Sequence, residues 1–275
     1  KPAPQDVLAR ETAPDTLPDS ATFRVFIWNI GYAGLDKDMD FFYDGGKKVR
    51  TPENRLKQNL AGIVHTVARN DSADFFLLQE VDVKGKRSYG IDQVQMLTDL
   101  WGGQTYYGKN YDVFFVPLPF SNPMGQVNSG LLSHSRFNPV QAERISLPGS
   151  YAWPKRLFML DRCLLVMHFP LHNGRELLLV NVHHEAYDNG SIRDQQMAFL
   201  KSFLKEASDK GNYVVLGGDW NQCPPDLQPQ FRGEVFDTID HKGIDPEFMA
   251  PGWQWVFDNT TPTNRRVDIP YTKGT

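Results

Sequence analysis

The chain contains two units in which an amphipathic helix lies between two apolar, strand-like runs, with shorter runs between the units. In the helices, apolar residues recur every three or four positions, and the first helix begins at an N-cap followed by proline, Thr51-Pro52. From Asp112 to His183, short β-prone runs are broken by Pro, Gly, Asn and Ser, which is typical of antiparallel strands. Strands are predicted at 23–29, 75–80, 113–116, 130–133, 163–169, 177–183 and 213–217, and helices at 51–67, 91–101 and 192–207.

This order of elements predicts an α/β fold, a four-layer α/β/β/α sandwich of two packed, mostly antiparallel mixed sheets with helices outside. A chain of 275 residues is long enough for one large domain, which buries about 75% of its unfolded surface. We place this domain at 23–275 and interpret 1–22, rich in Pro, Ala and Asp, as a flexible N-terminal segment. Because the chain begins with Lys1, we expect the mature start of an exported protein (periplasmic, surface-anchored or extracellular), although a trimmed cytoplasmic chain would read the same way.

Charge and cysteine content narrow the classes of partner. The 29 basic and 33 acidic residues give a net charge of −4, which disfavours binding of long nucleic acid but allows a small phosphorylated substrate. Cys163 and Cys223 form no C-x-x-C pair, so we expect two buried thiols rather than a zinc or redox motif. No apolar run approaches the roughly 20 residues of a membrane span.

Polar side chains end four of the predicted strands, where packing gives no reason for them. A single Asn or Asp after a strand is usually a turn former, but four such ends in one chain favour a functional site. In Asn181-Val182-His183 and Asp219-Trp220-Asn221, strand alternation points both polar residues of each pair to the same side. The residues at these ends are Asn29, Glu80, Asn181 with His183, and Asp219 with Asn221.

Five short motifs occur in the chain between 23 and 221. They are Trp28-Asn29, Leu78-Gln79-Glu80, Asn128-Ser129-Gly130-Leu131-Leu132-Ser133, Val180-Asn181-Val182-His183 and Gly217-Gly218-Asp219-Trp220-Asn221. In order and spacing they resemble the endonuclease/exonuclease/phosphatase superfamily, which includes apurinic endonucleases, pancreatic-type deoxyribonucleases, neutral sphingomyelinases, inositol polyphosphate phosphatases and deadenylases. The resemblance implies the four-layer sandwich and a divalent metal, Mg²⁺ or Mn²⁺, where the motif loops meet.

The resemblance also implies a role for each polar strand end. Mg²⁺ prefers hard oxygen ligands and keeps most of its waters, so one carboxylate, Glu80, suffices to hold it with a substrate phosphate. The implied roles are metal binding for Glu80 and Asn29, activation of water by Asp219, hydrogen bonding to phosphoryl oxygens by Asn221 and His183, and substrate binding by Asn128 and Asn181. His184, on the opposite face of its strand, is expected to be structural.

The sequence departs from the superfamily near its end. Members finish with a strand that carries an Asp and, about two dozen residues later, a Ser-Asp-His motif, of which Asp268 and Asp240-His241 are faint imitations. The pattern therefore predicts a domain that lacks its last C-terminal strands, and we expect the natural chain to continue past Thr275. The acidic and aromatic loop from Gly31 to Arg50 either reads the substrate or is a solvated surface loop.

The predicted function is a divalent-metal-dependent phosphoesterase that hydrolyses a phosphodiester or phosphomonoester by direct attack of water. Its substrate would be a small phosphorylated molecule or a phospholipid headgroup. The alternative is a non-catalytic scaffold of the same family that binds a phosphorylated or glycan ligand. The enzyme is favoured by the presence together of Glu80, Asp219, Asn221 and His183, whereas the missing C-terminal histidine favours the scaffold.

Overall fold

The computed structural model of the chain describes residues 13–186, 190–225 and 243–258, and these form two mixed four-stranded sheets. The first sheet has the order β1-β2-β4-β3, with β1 at Val25–Asn29, β2 at Phe75–Gly85, β3 at Gln104–Val116 and β4 at Gly125–Ser135. The second has the order β5-β6-β7-β8, with β5 at Gln141–Ser146, β6 at Cys163–Pro170, β7 at Glu176–His183 and β8 at Tyr213–Asp219.

Helices supply the parallel connections. α1 (Glu53–Arg69) joins β1 to β2 and α3 (Ser191–Asp209) joins β7 to β8, so each of these strand pairs is parallel. The remaining neighbours pair antiparallel. A third helix, α2, covers only Gln93–Thr98 and is shorter than the predicted 91–101. β1 runs parallel to β2 and β7 runs parallel to β8, and the hydrogen bond between Asn29 and Asp219 shows that β1 and β8 end at the same end of the sandwich.

Alternation along the strands builds the layers. Phe75 and Leu77 of β2 point to the inner face and pack against the second sheet, whereas Phe76 and Leu78 point outward beneath α1. On the other side, α3 packs on the outer face of the second sheet through residues that include Leu200. The predicted four-layer α/β/β/α sandwich is therefore confirmed.

One strand escaped prediction, and one cysteine differs from expectation. β5 was not predicted because its sequence, Gln-Ala-Glu-Arg-Ile-Ser, is mostly polar. Arg144 is nevertheless buried, and its Nε donates a hydrogen bond to the carbonyl of Lys109 at 2.7 Å. Cys163 is buried as expected, and burial raises the pKa of its thiol to about 11. Cys223 is partly exposed, because it follows the end of β8 instead of lying within a sheet.

The packed domain begins before the expected boundary at Phe23. Leu17 is buried in the core between the sheets and forms a bridge with Leu171, and the N–H of Asp15 donates to the carbonyl of Asn138. The C-terminal residues Asp240, His241 and Asp268 lie outside the described residues. Over the part of the chain that is described, none of the helices has the length and apolar character needed to span a bilayer.

Candidate active site

A β-bulge in β2 turns Glu80 toward the end of the first sheet. Two residues, Gln79 and Glu80, stand there opposite the single residue Leu131 of β4. Glu80 has a φ of 56°, in the left-handed region that costs a residue other than glycine about 1–2 kcal/mol. Strict alternation would have pointed Glu80 to the outer face, where Val81 is buried instead. The strand thus keeps its apolar pattern while its carboxylate is directed into a cleft.

The amide of Asn29, at the end of β1, connects carboxylates from both sheets. Its Nδ2 lies 3.1 Å from Glu80 Oε1 and 2.7 Å from Asp219 Oδ2, and donates to both. Its Oδ1 accepts a hydrogen bond from the N–H of Gly31 at 2.9 Å, which fixes the end of the amide that faces the carboxylates. Three of the predicted strand ends therefore meet at one point.

Asp219 is held in a tight turn at the end of β8. Its Oδ1 accepts a hydrogen bond from the backbone N–H of Asn221 at 2.9 Å, and Asn221 adopts a φ of 50°, which Asn tolerates better than most residues. The Asn221 amide donates one hydrogen bond to the carbonyl of His184 at 2.9 Å. An amide carries two N–H donors, so the side chain has a second one to offer a ligand.

His183, the last residue of β7, faces the two carboxylates. Its Nε2 lies 3.7 Å from Asp219 Oδ2 and 4.0 Å from Glu80 Oε1. Burial and the positive charge of Arg162 lower the pKa of His183 to about 3, so the ring is neutral near pH 7. A neutral imidazole has one N–H donor and one acceptor. His183 is therefore suited to donate a hydrogen bond, not to act as a fixed cation.

The two carboxylates differ in electrostatic environment. Burial raises the pKa of Glu80, and Arg87 and the Asn29 amide offset this only in part. Burial would also raise the pKa of Asp219, but His183, the Asn29 amide and the Asn221 N–H outweigh burial and hold it below its ordinary value. Asp219 is thus ionised near neutral pH, whereas Glu80 would be stabilised by a further positive charge.

Two buried arginines lie beside these carboxylates. Arg87 donates two hydrogen bonds to Asp82, at 2.8 and 3.1 Å, and its guanidinium stacks 3.7 Å from the centre of the Tyr32 ring. Arg162, directly before β6, is 3% exposed, and its Nε lies 3.6 Å from Glu185 Oε2. That distance is too long for a hydrogen bond, and Nε and Nη1 of Arg162 have no hydrogen-bond partner.

A cleft between the ends of the two sheets is lined by Glu80, His183 and both arginines, and Asn29, Asp219 and Asn221 lie behind Glu80 and His183 and are not among its lining residues. Its enclosed space is small, about 40 Å³. Part of its wall comes from the 31–50 loop, so this loop contacts the cleft through aromatic side chains. The cleft is lined by Tyr32, Leu35, Phe41, Tyr43, Glu80, Arg87, Asn110, Tyr111, Met124, Ser129, Met159, Leu160, Arg162 and His183.

Two predicted substrate-binding residues are not in this cleft. Asn181 is fully buried between the sheets, where its Oδ1 accepts from Gln79 Nε2 at 2.7 Å and its Nδ2 faces acceptors of the first sheet at 3.1–3.2 Å. Asn128 points to the outer face, where its Oδ1 accepts from the Tyr107 hydroxyl at 3.4 Å. The structure places Asn181 deeper than the predicted cleft, in the interior between the sheets, and places Asn128 on the outer face of β4. Their role in substrate binding stays a prediction.

Several cleft residues were not predicted from the sequence. Ser129 belongs to the motif that begins at Asn128, but the prediction assigned substrate binding to Asn128 and not to Ser129. Asn110 faces inward in the same alternation as Tyr106, but it precedes the predicted strand 113–116, whereas β3 begins at Gln104; the bulge after Lys109 then turns Tyr111 inward as well. A charged residue directly before the apolar strand Cys163–Phe169 was the available signal for Arg162.

The donor set fits a hard divalent cation bound mainly through water. Among the residues described, no group of three or more His, Cys, Asp or Glu side chains is placed to hold a metal. Glu80 offers a carboxylate whose buried negative charge lacks a full counter-charge, which suits an ion that keeps most of its waters. Asn29 presents its N–H groups to the carboxylates of Glu80 and Asp219, which orients both of them, and its role in metal binding stays a prediction.

Comparison with known proteins identifies the family. The sequence model of the Endonuclease/Exonuclease/phosphatase family matches residues 27–268. Comparison with curated protein sequences gives no match. Among solved structures, the human Nocturnin catalytic domain with bound sulfate anion is 18% identical with a TM-score of 0.50, over 72% of this chain and 64% of that one.

Two bacterial structures are also similar. An endonuclease/exonuclease/phosphatase from Beutenbergia cavernae DSM 12333 is 21% identical with a TM-score of 0.46, over 66% of this chain and 43% of that one. A mannosyl-6-phosphatase from Bacteroides thetaiotaomicron VPI-5482 is 16% identical with a TM-score of 0.47, over 74% of this chain and 66% of that one. The chain thus spans less than two thirds of the length of each of these three structures. Since the family match covers most of the sequence, the chain belongs to the Endonuclease/Exonuclease/phosphatase family.

Proposed function

We propose that this protein is a divalent-metal-dependent phosphoesterase that hydrolyses a small phosphorylated substrate by direct attack of water. The proposal rests on one cluster, in which the carboxylates of Glu80 and Asp219 share the Asn29 amide beside a neutral His183. Membership of a family of phosphoesterases supports it. A non-catalytic scaffold would have no need to hold Glu80 in a strained backbone conformation at the cleft.

Glu80 is the residue proposed to hold the metal, with Asn29 fixing the direction of its carboxylate. A divalent cation bound there supplies positive charge that neutralises phosphoryl oxygens and the leaving oxygen. The cation would also compensate the buried charge that raises the pKa of Glu80. Positioning and charge neutralisation are the main demands of phosphoryl transfer.

Asp219 is proposed to orient the attacking water and accept its proton. Its lowered pKa keeps it ionised, and the bonds from Asn29 and the Asn221 N–H fix both of its oxygens. His183 would donate a hydrogen bond to a phosphoryl oxygen as negative charge develops there. The second N–H of the Asn221 amide would reach the same phosphoryl group.

The test is hydrolysis of p-nitrophenyl phosphate and bis(p-nitrophenyl) phosphate with Mg²⁺, with Mn²⁺ and with chelator, for the parent and for Glu80→Gln. We expect metal-dependent release of nitrophenol that Glu80→Gln reduces at least about 10²-fold, since the variant removes the carboxylate proposed to hold the metal. Glu53→Gln, on the exposed face of α1, is the matched control and should keep the parent rate. Hydrolysis that chelator does not affect, or an equally active Glu80→Gln, would contradict the mechanism. The two substrates also separate monoesterase from diesterase activity.

A further inference from the structure

Large apolar side chains are exposed in two segments, the end of β3 with its connection to β4 (113–124) and the connection from β5 to β6 (147–162). Phe114 and Phe120 in the first segment are 89% and 85% exposed, and Trp153 in the second is 72% exposed. Single apolar residues are common on protein surfaces, but a group of them on neighbouring loops marks an interaction site. We call this group the aromatic patch, and its members are Phe114, Phe115, Leu118, Phe120, Trp153 and Leu157.

A β-bulge at the end of β3 turns two consecutive phenylalanines to the surface. Residues three positions apart in a regular strand face opposite sides, yet Val113 and Val116 are both buried, because the pairing with β4 shifts register between them. Phe114 and Phe115 therefore both project outward, where a regular strand would have buried one of them. The connection that follows is tied to the 31–50 loop, since the guanidinium of Arg50 donates to one of its carbonyls at 3.0 Å.

Both segments lie at the end of the sandwich that contains the cleft. β3 runs parallel to β2, because each is antiparallel to β4, so both strands end on the side where Glu80 lies. β6 runs antiparallel to β7, so the 147–162 segment enters β6 beside the end of β7 at His183. Phe158 and Leu160 of this segment pack on the buried cluster that includes Val116, and Leu160 also lines the cleft. The aromatic patch is therefore next to the cleft.

The charged residues within these segments are basic. The sequence from 113 to 128 has no charged residue, and the only charged residues from 145 to 160 are Lys155 and Arg156. Both are exposed, and they stand between Trp153 and Leu157 in the sequence. The whole chain has a net charge of −4, so two stretches without acidic residues distinguish this end of the molecule. Aromatic side chains together with Lys and Arg are the combination that binds the interface of a bilayer with anionic lipid.

The acidic residues that border these stretches are paired with basic side chains. Asp112 lies 2.9 Å from the ammonium of Lys109, and Asp161 lies 3.2 Å from the guanidinium of Arg144. A further basic residue, Lys86, is exposed beside the first residue of β4. The surface around the aromatic patch is therefore suited to a negatively charged partner.

We propose that the aromatic patch docks the protein on an anionic phospholipid bilayer, with its aromatic rings in the interface and with Lys155 and Arg156 at the lipid phosphates. Side chains that are nearly 90% exposed touch almost nothing else in the protein, so they are free to enter a fluid apolar layer. A protein partner would need a complementary surface that encloses each of them. A second copy that faced this one patch to patch would set the same two basic residues against each other. Docking brings the cleft close to the lipid headgroups.

The test is co-sedimentation with vesicles of phosphatidylcholine alone and of phosphatidylcholine mixed with phosphatidylglycerol, at low and high salt. We expect the parent to bind the mixed vesicles, and to bind them more weakly at high salt, because salt screens the attraction to anionic lipid. Phe114→Ala and Phe120→Ala should each lower the partition coefficient roughly tenfold, the factor expected when one phenylalanine no longer enters an apolar layer. The matched control is Tyr213→Ala, which removes a partly exposed aromatic ring at the opposite, amino-terminal end of β8 and should bind like the parent.

A second pair of variants separates charge from insertion. Lys155→Gln and Arg156→Gln should weaken binding to the mixed vesicles and leave any binding to phosphatidylcholine alone unchanged. These side chains are exposed, so all variants should keep the melting temperature of the parent.

Three results would overturn the proposal. They are a parent that does not sediment with the mixed vesicles, phenylalanine variants that bind as well as the parent, and a dimer in light scattering that Phe114→Ala dissociates while vesicles are not bound. The last result would assign the aromatic patch to self-association. The inference goes beyond the proposed function and does not depend on it, because vesicle binding requires no turnover. Failure of hydrolysis therefore leaves this test intact, and failure of vesicle binding leaves the proposed function standing.

Discussion

Replacing Asn181 with Ala tests whether this residue joins the sheets or binds substrate. Its amide has two N–H donors, shared among acceptors on the first sheet at 3.1–3.2 Å, and its Oδ1 accepts from Gln79 at 2.7 Å. The substitution therefore removes about three buried hydrogen bonds at about 1 kcal/mol each and leaves partner groups unsatisfied. We expect the free energy of unfolding to fall by about 3–4 kcal/mol.

The assay is urea unfolding followed by fluorescence, with Asn128→Ala as the control. Asn128 makes one long hydrogen bond of 3.4 Å at a partly exposed position, so its loss should cost less than about 1 kcal/mol. The slope of unfolding free energy against urea should stay unchanged, because the exposed surface is the same. A stable Asn181→Ala variant with a raised KM would refute the structural role and restore the predicted role in substrate binding.

Two further predictions concern strain and pH. Glu80→Gly should raise the free energy of unfolding by about 1 kcal/mol while abolishing hydrolysis, because glycine relieves the left-handed strain at modest entropic cost; urea unfolding with an activity assay checks both. His168 lies 3.1 Å from Glu143 and 3.2 Å from Glu176; burial alone would lower its pKa, but the two carboxylates raise it above its ordinary value. Its stabilising effect is therefore complete below its unfolded pKa, near 6.5, and is lost as pH rises through the folded pKa. The stability difference between the parent and His168→Gln should shrink between pH 6 and 9, and a constant difference would contradict the ion pairs.

The layers of the fold were predictable because they depend on periodicity. Apolar spacing in α1 and α3 and the runs in β2 and β8 are local patterns, and they fix which elements pack together. The four layers followed from the order of these elements. β5 was missed because Arg144 is buried through hydrogen bonds that its sequence does not reveal.

The site was predictable where residues end strands and unpredictable where backbones deviate. Asn29, Asp219 and His183 converge because parallel strands end at the same edge of the sandwich. Asn128 faces outward while its neighbour Ser129 lines the cleft, and Asn110 was missed because the predicted strand began at 113, whereas β3 begins at Gln104. The bulge that turns Glu80 into the cleft was not predicted either. Bulges are set by pairing between strands, so a single sequence carries little trace of them.

The most direct test of the account is the rate at which Asp219→Asn hydrolyses a phosphoester in the presence of Mg²⁺. The substitution keeps the size of the side chain and removes the negative charge that we propose orients and deprotonates the attacking water. The account predicts a folded protein with a melting temperature close to that of the parent and turnover reduced by about 10²-fold or more. A folded Asp219→Asn variant that matches the parent rate would contradict it.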